Sequence, residues 1–70
     1  MSNRQVKELR EKTDAELRAA LRQAREALYR LRTDQAMRRL EDPNAIWKRR
    51  KEIARILTVQ RERELAKEQK

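Results

Sequence analysis

The sequence predicts an all-α fold, an antiparallel hairpin of two long helices preceded by a short N-terminal helical turn. Its 70 residues include no glycine and a single proline, at position 43, so only one strong break interrupts the chain. Apolar residues recur at intervals of three or four on both sides of this break, as they do along one face of a helix. Thr13 and Asp42 stand just before the two periodic segments, where capping residues begin helices. We therefore expect residues 1–70 to form one helical-hairpin domain.

The first long helix is expected over about residues 13–40. Thr13 and Glu16 have the spacing of a capping box, in which each side chain accepts a hydrogen bond from the other residue's backbone N–H. The apolar positions that follow are separated by four, three, four and three residues and form a narrow seam like that of a coiled coil: Leu17, Leu21, Ala24, Leu28 and Leu31. At about 1.5 Å per residue, this helix would be roughly 40 Å long.

The second long helix is expected over about residues 43–66. Asp42 is a suitable cap, and Pro43 fits the first turn because its missing N–H would have no helical partner there. A short connection between two long helices favours antiparallel packing. The core should then consist of apolar side chains from both helices, with Ile46, Ile53, Ile56 and Leu57 packing on Leu17, Leu21, Leu28 and Leu31.

The two ends of the chain receive separate predictions. Val6 and Leu9 could sit on a short helical turn that folds back on the hairpin. Residues 62–70 carry mixed charge and are expected to fray.

The composition is strongly basic. Twenty Lys and Arg residues against twelve Asp and Glu give a net charge of +8 and a pI of about 10.8. Residues 30–55 contain nine basic and four acidic residues, so +5 of this charge lies around the bend. A small domain with such an excess of basic residues usually binds nucleic acid or an anionic membrane surface. The alternative is a soluble hairpin covered with salt bridges that has no anionic partner.

Composition also excludes most catalytic sites. Without histidine or cysteine there is no usual proton shuttle, thiol nucleophile or structural zinc site, and without glycine there is no phosphate-binding glycine loop. We expect neither an enzyme nor a bound cofactor. No apolar run approaches the roughly 18 residues of a membrane span, and the polar N-terminus lacks a hydrophobic signal core. The protein is expected to be soluble and to stay in the compartment where it is made.

The main candidate for function is a cluster of cations near the bend. Four consecutive basic residues begin at position 48, and others lie one turn later and just before the bend. Arginine can bind phosphate through two hydrogen bonds, and lysine acts as a point charge. The predicted RNA-binding residues are Arg38, Arg39, Lys48, Arg49, Arg50, Lys51 and Arg55. The competing interpretation is a solvated face of a basic protein.

The only aromatic residues are Tyr29 and Trp47. Trp47 precedes the cations directly and could stack on a base or ribose. It could equally complete the hairpin core with the edge of its indole at the surface. For both aromatic residues we favour packing in the core.

Two further functions from other classes stay open at this point. One is a small basic DNA-binding or chromatin-type protein. The other is a homodimeric coiled-coil module with an acidic partner, since the seam of the first helix has heptad spacing. Pairing within the chain costs little loop entropy, so a monomer is expected for the free protein.

Two segments resemble a known family. The first is Lys7-Glu8-Leu9-Arg10 followed by a capped, leucine-rich helix. The second is Arg50-Lys51-Glu52-Ile53-Ala54-Arg55-Ile56-Leu57-Thr58. They are similar to the bacterial large-subunit ribosomal protein twenty-nine family, and the resemblance covers about residues 6–62. The family commonly has Gly-Gln where this chain has Arg38-Arg39, so the bend is expected to be more helical or more basic here.

The resemblance implies a function in translation. A member of this family would be a structural constituent of the large ribosomal subunit in the cytoplasm and would bind large-subunit ribosomal RNA near the exit of the peptide tunnel. The resemblance also implies a neighbouring ribosomal protein, number twenty-three, and a landing area for trigger factor and the signal recognition particle.

Overall fold

The computed structural model describes residues 3–68, which form three α helices. They are α1 (Asn3–Arg10), α2 (Asp14–Ala36) and α3 (Asn44–Glu68). α2 and α3 pack as an antiparallel hairpin, and α1 packs against α3, giving a molecule of about 50 × 21 × 16 Å. The prediction of an all-α helical hairpin is confirmed, and the predicted N-terminal turn is a helix of eight residues.

The capping box at the start of α2 is present as predicted. The backbone N–H of Glu16 donates to the Thr13 hydroxyl at 3.1 Å, and the backbone N–H of Thr13 donates to the Glu16 carboxylate at 3.1 Å. These bonds satisfy two N–H groups that have no partner inside the helix. The pKa of Glu16 is lowered, chiefly by the hydrogen bond that its carboxylate accepts from the backbone N–H of Thr13.

α2 ends at Ala36, before the predicted boundary at about residue 40. Arg38 has a φ of 58°, which lies in the left-handed region. The N–H of Arg39 bonds to the carbonyl of Asp34 at 2.7 Å, and the N–H of Arg38 bonds to the carbonyl of Gln35 at 3.0 Å. This is a Schellman motif, which usually has glycine at the left-handed position. The chain therefore leaves the helix at Arg38-Arg39, where the family pattern has Gly-Gln.

α3 begins after Asp42, whose side chain accepts a hydrogen bond from the N–H of Asn44 at 3.0 Å. The helix continues to Glu68, two residues beyond the predicted end. Residues 62–68 are helical, and Glu62, Arg63 and Lys67 make ion pairs with the N-terminal part of the chain. Fraying of residues 62–70 stays a prediction about motion in solution, and residues 69–70 lie outside the described part.

The core is small and lies at the junction of all three helices. It consists of Leu17, Ala24, Ile56 and Val59, with partly buried side chains around it from Val6, Leu9, Ala20, Leu21 and Ile53. Leu28, Leu31 and Ile46 are half-buried and lie outside this cluster. The predicted packing of Ile53 and Ile56 on Leu17 and Leu21 is thus confirmed.

The placement of Leu57 in the core was wrong, because its side chain is 41% exposed. Val59, which was not predicted, is buried instead. The reason is that α1 packs against α3 beside α2, so the buried face of α3 is turned toward α1. The predicted core paired α3 with α2 alone, although an N-terminal turn carrying Val6 and Leu9 was expected to fold back on the hairpin. Among residues 3–68, no helix has the length and apolar character needed to cross a membrane.

Candidate nucleic-acid interface

The structure divides the seven predicted RNA-binding residues into two groups. Five are exposed at the bend end of the hairpin: Arg38, Arg39, Lys48, Arg49 and Arg50. Lys51 and Arg55 are half-buried where α1 packs near α3. At about 100° per residue, Arg50 lies roughly 140° around α3 from Arg55, so the predicted residues do not share a single face.

A groove between α1 and the first half of α3 gathers part of the predicted set. We call it the α1–α3 groove; it is lined by Gln5, Glu8, Leu9, Lys12, Trp47, Lys48, Lys51, Glu52 and Arg55. Lys12 was not among the predicted residues, because it follows α1 and comes near α3 only through the packing of that helix. The groove thus brings four cations together beside an aromatic ring.

The two carboxylates in the α1–α3 groove are already paired with arginines outside it. Glu8 lies 3.6 Å from Arg4, and Glu52 lies 3.0 Å from Arg49. The four cations of the groove, Lys12, Lys48, Lys51 and Arg55, have no carboxylate within 4.0 Å among the residues that the structure describes. The positive charge of the groove is therefore left for an external anion.

Arg55, which lines this groove, carries a buried hydrogen-bond donor. Its Nε atom is buried and has no hydrogen-bond partner within the described part of the chain. A buried donor without a partner costs free energy, about 1–3 kcal/mol in general. An anionic oxygen that reached this atom would remove the cost.

Trp47 and Tyr29 are both at the surface, so the preference for packing them in the core was wrong. The side chain of Trp47 is 58% exposed, and that of Tyr29 is 74% exposed. The Nζ atom of Lys51 lies 3.8 Å from the centre of the Trp47 ring, in a cation–π contact. Trp47 therefore presents an aromatic surface at the edge of a cationic groove, which is the combination used to bind unpaired nucleotides.

Sequence reasoning missed most of a second basic surface, on α2; it had considered only Arg30 and Arg32 there, as weaker candidates because long basic side chains also cover helix seams. Its exposed residues are spaced by four, three, four and three: Arg18, Arg22, Arg25, Tyr29 and Arg32. We call this set the α2 stripe. It follows the predicted seam of Leu17, Leu21, Ala24, Leu28 and Leu31 one residue later at every position. That register is visible in the sequence, although the excess of positive charge is greatest around the bend.

Comparison with known proteins places the chain in a family. The model of the family described as "Ribosomal L29 protein" matches residues 7–63, which is most of the chain. The chain belongs to the ribosomal L29 protein family. The resemblance seen in the sequence is thereby confirmed.

Relatives in this family match over most of their length. The chain is 48% identical over 71 residues to "Large ribosomal subunit protein uL29" of Rhodopirellula baltica, covering 99% of both chains. It is 52% identical over 60 residues to the protein of that name from Desulforudis audaxviator, covering 86% of this chain and 90% of the relative. The protein of that name from Streptomyces avermitilis is 52% identical over 58 residues, covering 83% of this chain and 78% of the relative. No solved structure matches the chain significantly.

Proposed function

We propose that this member of the ribosomal L29 protein family binds ribosomal RNA of the large subunit through the α1–α3 groove and the exposed cations of the bend. As a family member, the chain is a structural ribosomal protein, and relatives bear the name of the large subunit. The cations supply affinity for phosphate, and Trp47 supplies a stacking surface for an unpaired base.

The observation that carries this proposal is the uncompensated charge of the α1–α3 groove. Where α1 and the start of α2 meet the second half of α3, cations are paired with carboxylates, as in Arg10 with Glu62 at 3.1 Å and Arg63 with Asp14 at 2.7 Å. In the groove, both carboxylates pair with arginines that lie outside it. None of the four groove cations pairs with a carboxylate of the described residues. A surface that serves only solubility has no need to keep a donor such as Arg55 Nε buried without a partner.

The location follows from family resemblance. We propose that the chain lies in cytoplasmic ribosomes near the exit of the peptide tunnel, beside ribosomal protein twenty-three. There it would contribute to the landing area for trigger factor and the signal recognition particle. The role proposed for the chain is to stabilise the structure of the RNA. No residue is assigned a catalytic step.

The alternatives from the sequence receive less support. The seam of α2 is used within the chain, where Leu17 and Ala24 are buried in the cluster with Ile56 and Val59. It is therefore not available as the seam of a homodimeric coiled coil. For a DNA-binding protein, no contact in the described residues favours duplex DNA over RNA.

The experiment is a binding titration with deproteinised large-subunit ribosomal RNA. Trp47 is the only tryptophan, so its fluorescence reports occupancy of the groove directly. We expect RNA to change this fluorescence and duplex DNA to compete poorly. In the groove variant Lys12→Gln/Lys48→Gln, the slope of log affinity against log salt should become shallower by about 1.5, because two phosphate contacts are lost.

The matched control is Lys7→Gln/Arg61→Gln, which removes two exposed charges outside the groove and the bend. It should keep more of the RNA affinity than the groove variant. If the two variants bind RNA equally well, with the same salt slope, then the groove is not the RNA-binding surface and the proposal fails.

A further inference from the structure

The α2 stripe has the features of a second binding surface. Each of its members is exposed and stands one residue after a member of the seam, so the stripe runs parallel to the seam for the length of α2. From Arg18 to Arg32 it extends about 21 Å at 1.5 Å per residue. Four of its five members are arginines, and Tyr29 lies among them with 74% of its side chain exposed.

The charge of the stripe is not compensated by its own helix. None of its four arginines lies within 4.0 Å of a carboxylate in the described residues, although Arg4, Arg10, Arg49, Arg61 and Arg63 all do. The carboxylate at its border is Glu26, which lines the same shallow depression as Arg22 and Arg25. Glu26 forms no ion pair within that distance either, so the stripe keeps a clear excess of positive charge.

The stripe lies on the side of the hairpin away from the α1–α3 groove. Arg18 lines a depression with Gln60 and Glu64 of α3. Glu64 follows Arg55 by nine residues, which at about 100° per residue puts it on the opposite side of α3. Since Arg55 lines the α1–α3 groove, the two basic surfaces face in roughly opposite directions.

We infer that the α2 stripe binds the phosphate backbone of a second RNA segment, so that one protein holds two RNA segments together. This inference rests on the proposed function, in which the α1–α3 groove holds the first segment. The occupant of the stripe is nucleic acid because its arginines can bind phosphate with two hydrogen bonds and its tyrosine offers a stacking face. A length of about 21 Å also spans several phosphates, which along one strand of B-DNA recur about every 3.4 Å of helix axis.

The test uses the full chain with two short RNA duplexes of one sequence, each ending in an unpaired overhang on which Trp47 can stack. One duplex carries a donor fluorophore and the other an acceptor. A bivalent protein brings the two labels together, and energy transfer should pass through a maximum and fall when protein is in excess. Sedimentation of the complex should give one protein per two duplexes. Two proteins per complex would mean that bridging comes from dimerisation, and the inference would be overturned.

The stripe variant is Arg18→Gln/Arg22→Gln/Arg25→Gln/Arg32→Gln, and its helicity is checked by circular dichroism. We expect energy transfer to fall at least about tenfold at moderate salt, with the salt slope of bridging reduced by about 3 for four lost phosphate contacts. The Trp47 fluorescence change on RNA binding should persist, because the groove is intact. The control Arg4→Gln/Lys7→Gln/Arg61→Gln/Lys67→Gln removes the same charge outside the stripe and should retain energy transfer.

Three outcomes would overturn the inference. The stripe variant could bridge as well as the control, or it could lose the Trp47 response together with bridging, which would make the stripe part of one continuous site. The wild-type stripe could also bind a poly-glutamate peptide in preference to RNA, which would indicate an acidic protein partner. Failure of the proposed function would look different: the groove variant would keep RNA affinity and the Trp47 response unchanged.

Discussion

The Nη1 atom of Arg63 lies 2.7 Å from Oδ1 of Asp14, so the second half of α3 is tied to the first turn of α2. Nη2 of the same guanidinium donates to the carbonyl oxygens of Arg10 at 3.0 Å and Lys12 at 2.5 Å. Carbonyls at the end of a helix have no helical partner, and the planar guanidinium can serve several acceptors at once. Arg63 therefore connects the end of α1, the start of α2 and α3.

Arg63→Ala should lower the free energy of unfolding by about 1–2 kcal/mol, because it removes the ion pair with Asp14 and leaves the partly buried carbonyl of Lys12 without its donor. Arg63→Lys should recover little of this loss, since an ammonium cannot reproduce the fork of the guanidinium. The free energies of unfolding of both variants are measured by urea denaturation, with circular dichroism as the signal. Arg61→Ala is the control, because Arg61 is exposed and pairs only with Glu64 on its own helix. Equal stability of the variants at 61 and 63 would contradict the role given to Arg63.

The contact of Asp14 makes a pH dependence predictable. The hydrogen bond from Arg63 and then the charge of Lys67 lower the pKa of Asp14 below its ordinary value. A carboxylate whose pKa is lower in the folded state contributes stability above its unfolded pKa and loses that contribution as the pH falls through the folded pKa. Stability should therefore decline as the pH drops below about 4, and this decline should be shallower in Asp14→Asn. An identical pH profile for both proteins would show that the contact has no energetic weight.

Arg38 occupies a backbone conformation that is unfavourable for any residue with a Cβ atom. Because its φ is 58°, Arg38→Gly should stabilise the fold by about 1 kcal/mol. A change of that size corresponds to about 4–8 °C in Tm for a domain of this length. The same variant removes a cation from the bend, so its RNA affinity should fall while its stability rises.

The control for this prediction is Arg38→Ala, which removes the same charge but keeps a Cβ atom at the left-handed position. It should lose RNA affinity to the same extent without gaining stability. If alanine stabilises the protein as much as glycine, the gain comes from relief of charge repulsion at the bend and not from the backbone.

Ile56 and Leu57 are adjacent in sequence and differ sharply in burial, at 1% and 41% exposed. Ile56→Ala should lower the free energy of unfolding by about 2–4 kcal/mol, because it opens a cavity at the junction of the three helices. Leu57→Ala should cost under about 1 kcal/mol, because its side chain is already partly in water. Thermal unfolding of the two variants gives a direct comparison. If both variants lose the same free energy of unfolding, Leu57 belongs to the core, as the sequence pattern predicted.

Local signals were readable from the sequence, and the mutual orientation of the helices was not. The Thr13–Glu16 capping box depends only on residues three positions apart, and it is present as predicted. The choice between Leu57 and Val59 depends on which side of α3 meets α1, and the apolar spacing of α3 is compatible with either. The core was therefore predicted correctly at Ile53 and Ile56 and wrongly at Leu57.

The candidate interface shows the same division. The cations from Lys48 to Lys51 were evident as a run, but Lys12 enters the groove only through the docking of α1. The exposure of Trp47 was not predictable either, because an indole beside a seam can turn inward or outward with equal ease. The role of these residues in RNA binding stays a prediction until binding is measured.

The docking of α1 has a consequence for the order in which the protein can fold during its synthesis. α1 is made first, yet its partners are on the last helix, with Arg10 bonded to Glu62 across 52 residues and to Arg63 across 53. Contacts between residues so far apart form only after the intervening chain is available, and they slow folding because a long loop must close. A nascent chain that stops before Glu62 can pack Val6 and Leu9 near the first half of α3, but it lacks the side chains that bind Arg10 at the end of α1. The final closure of the molecule therefore waits for the last turns of α3 to be synthesised.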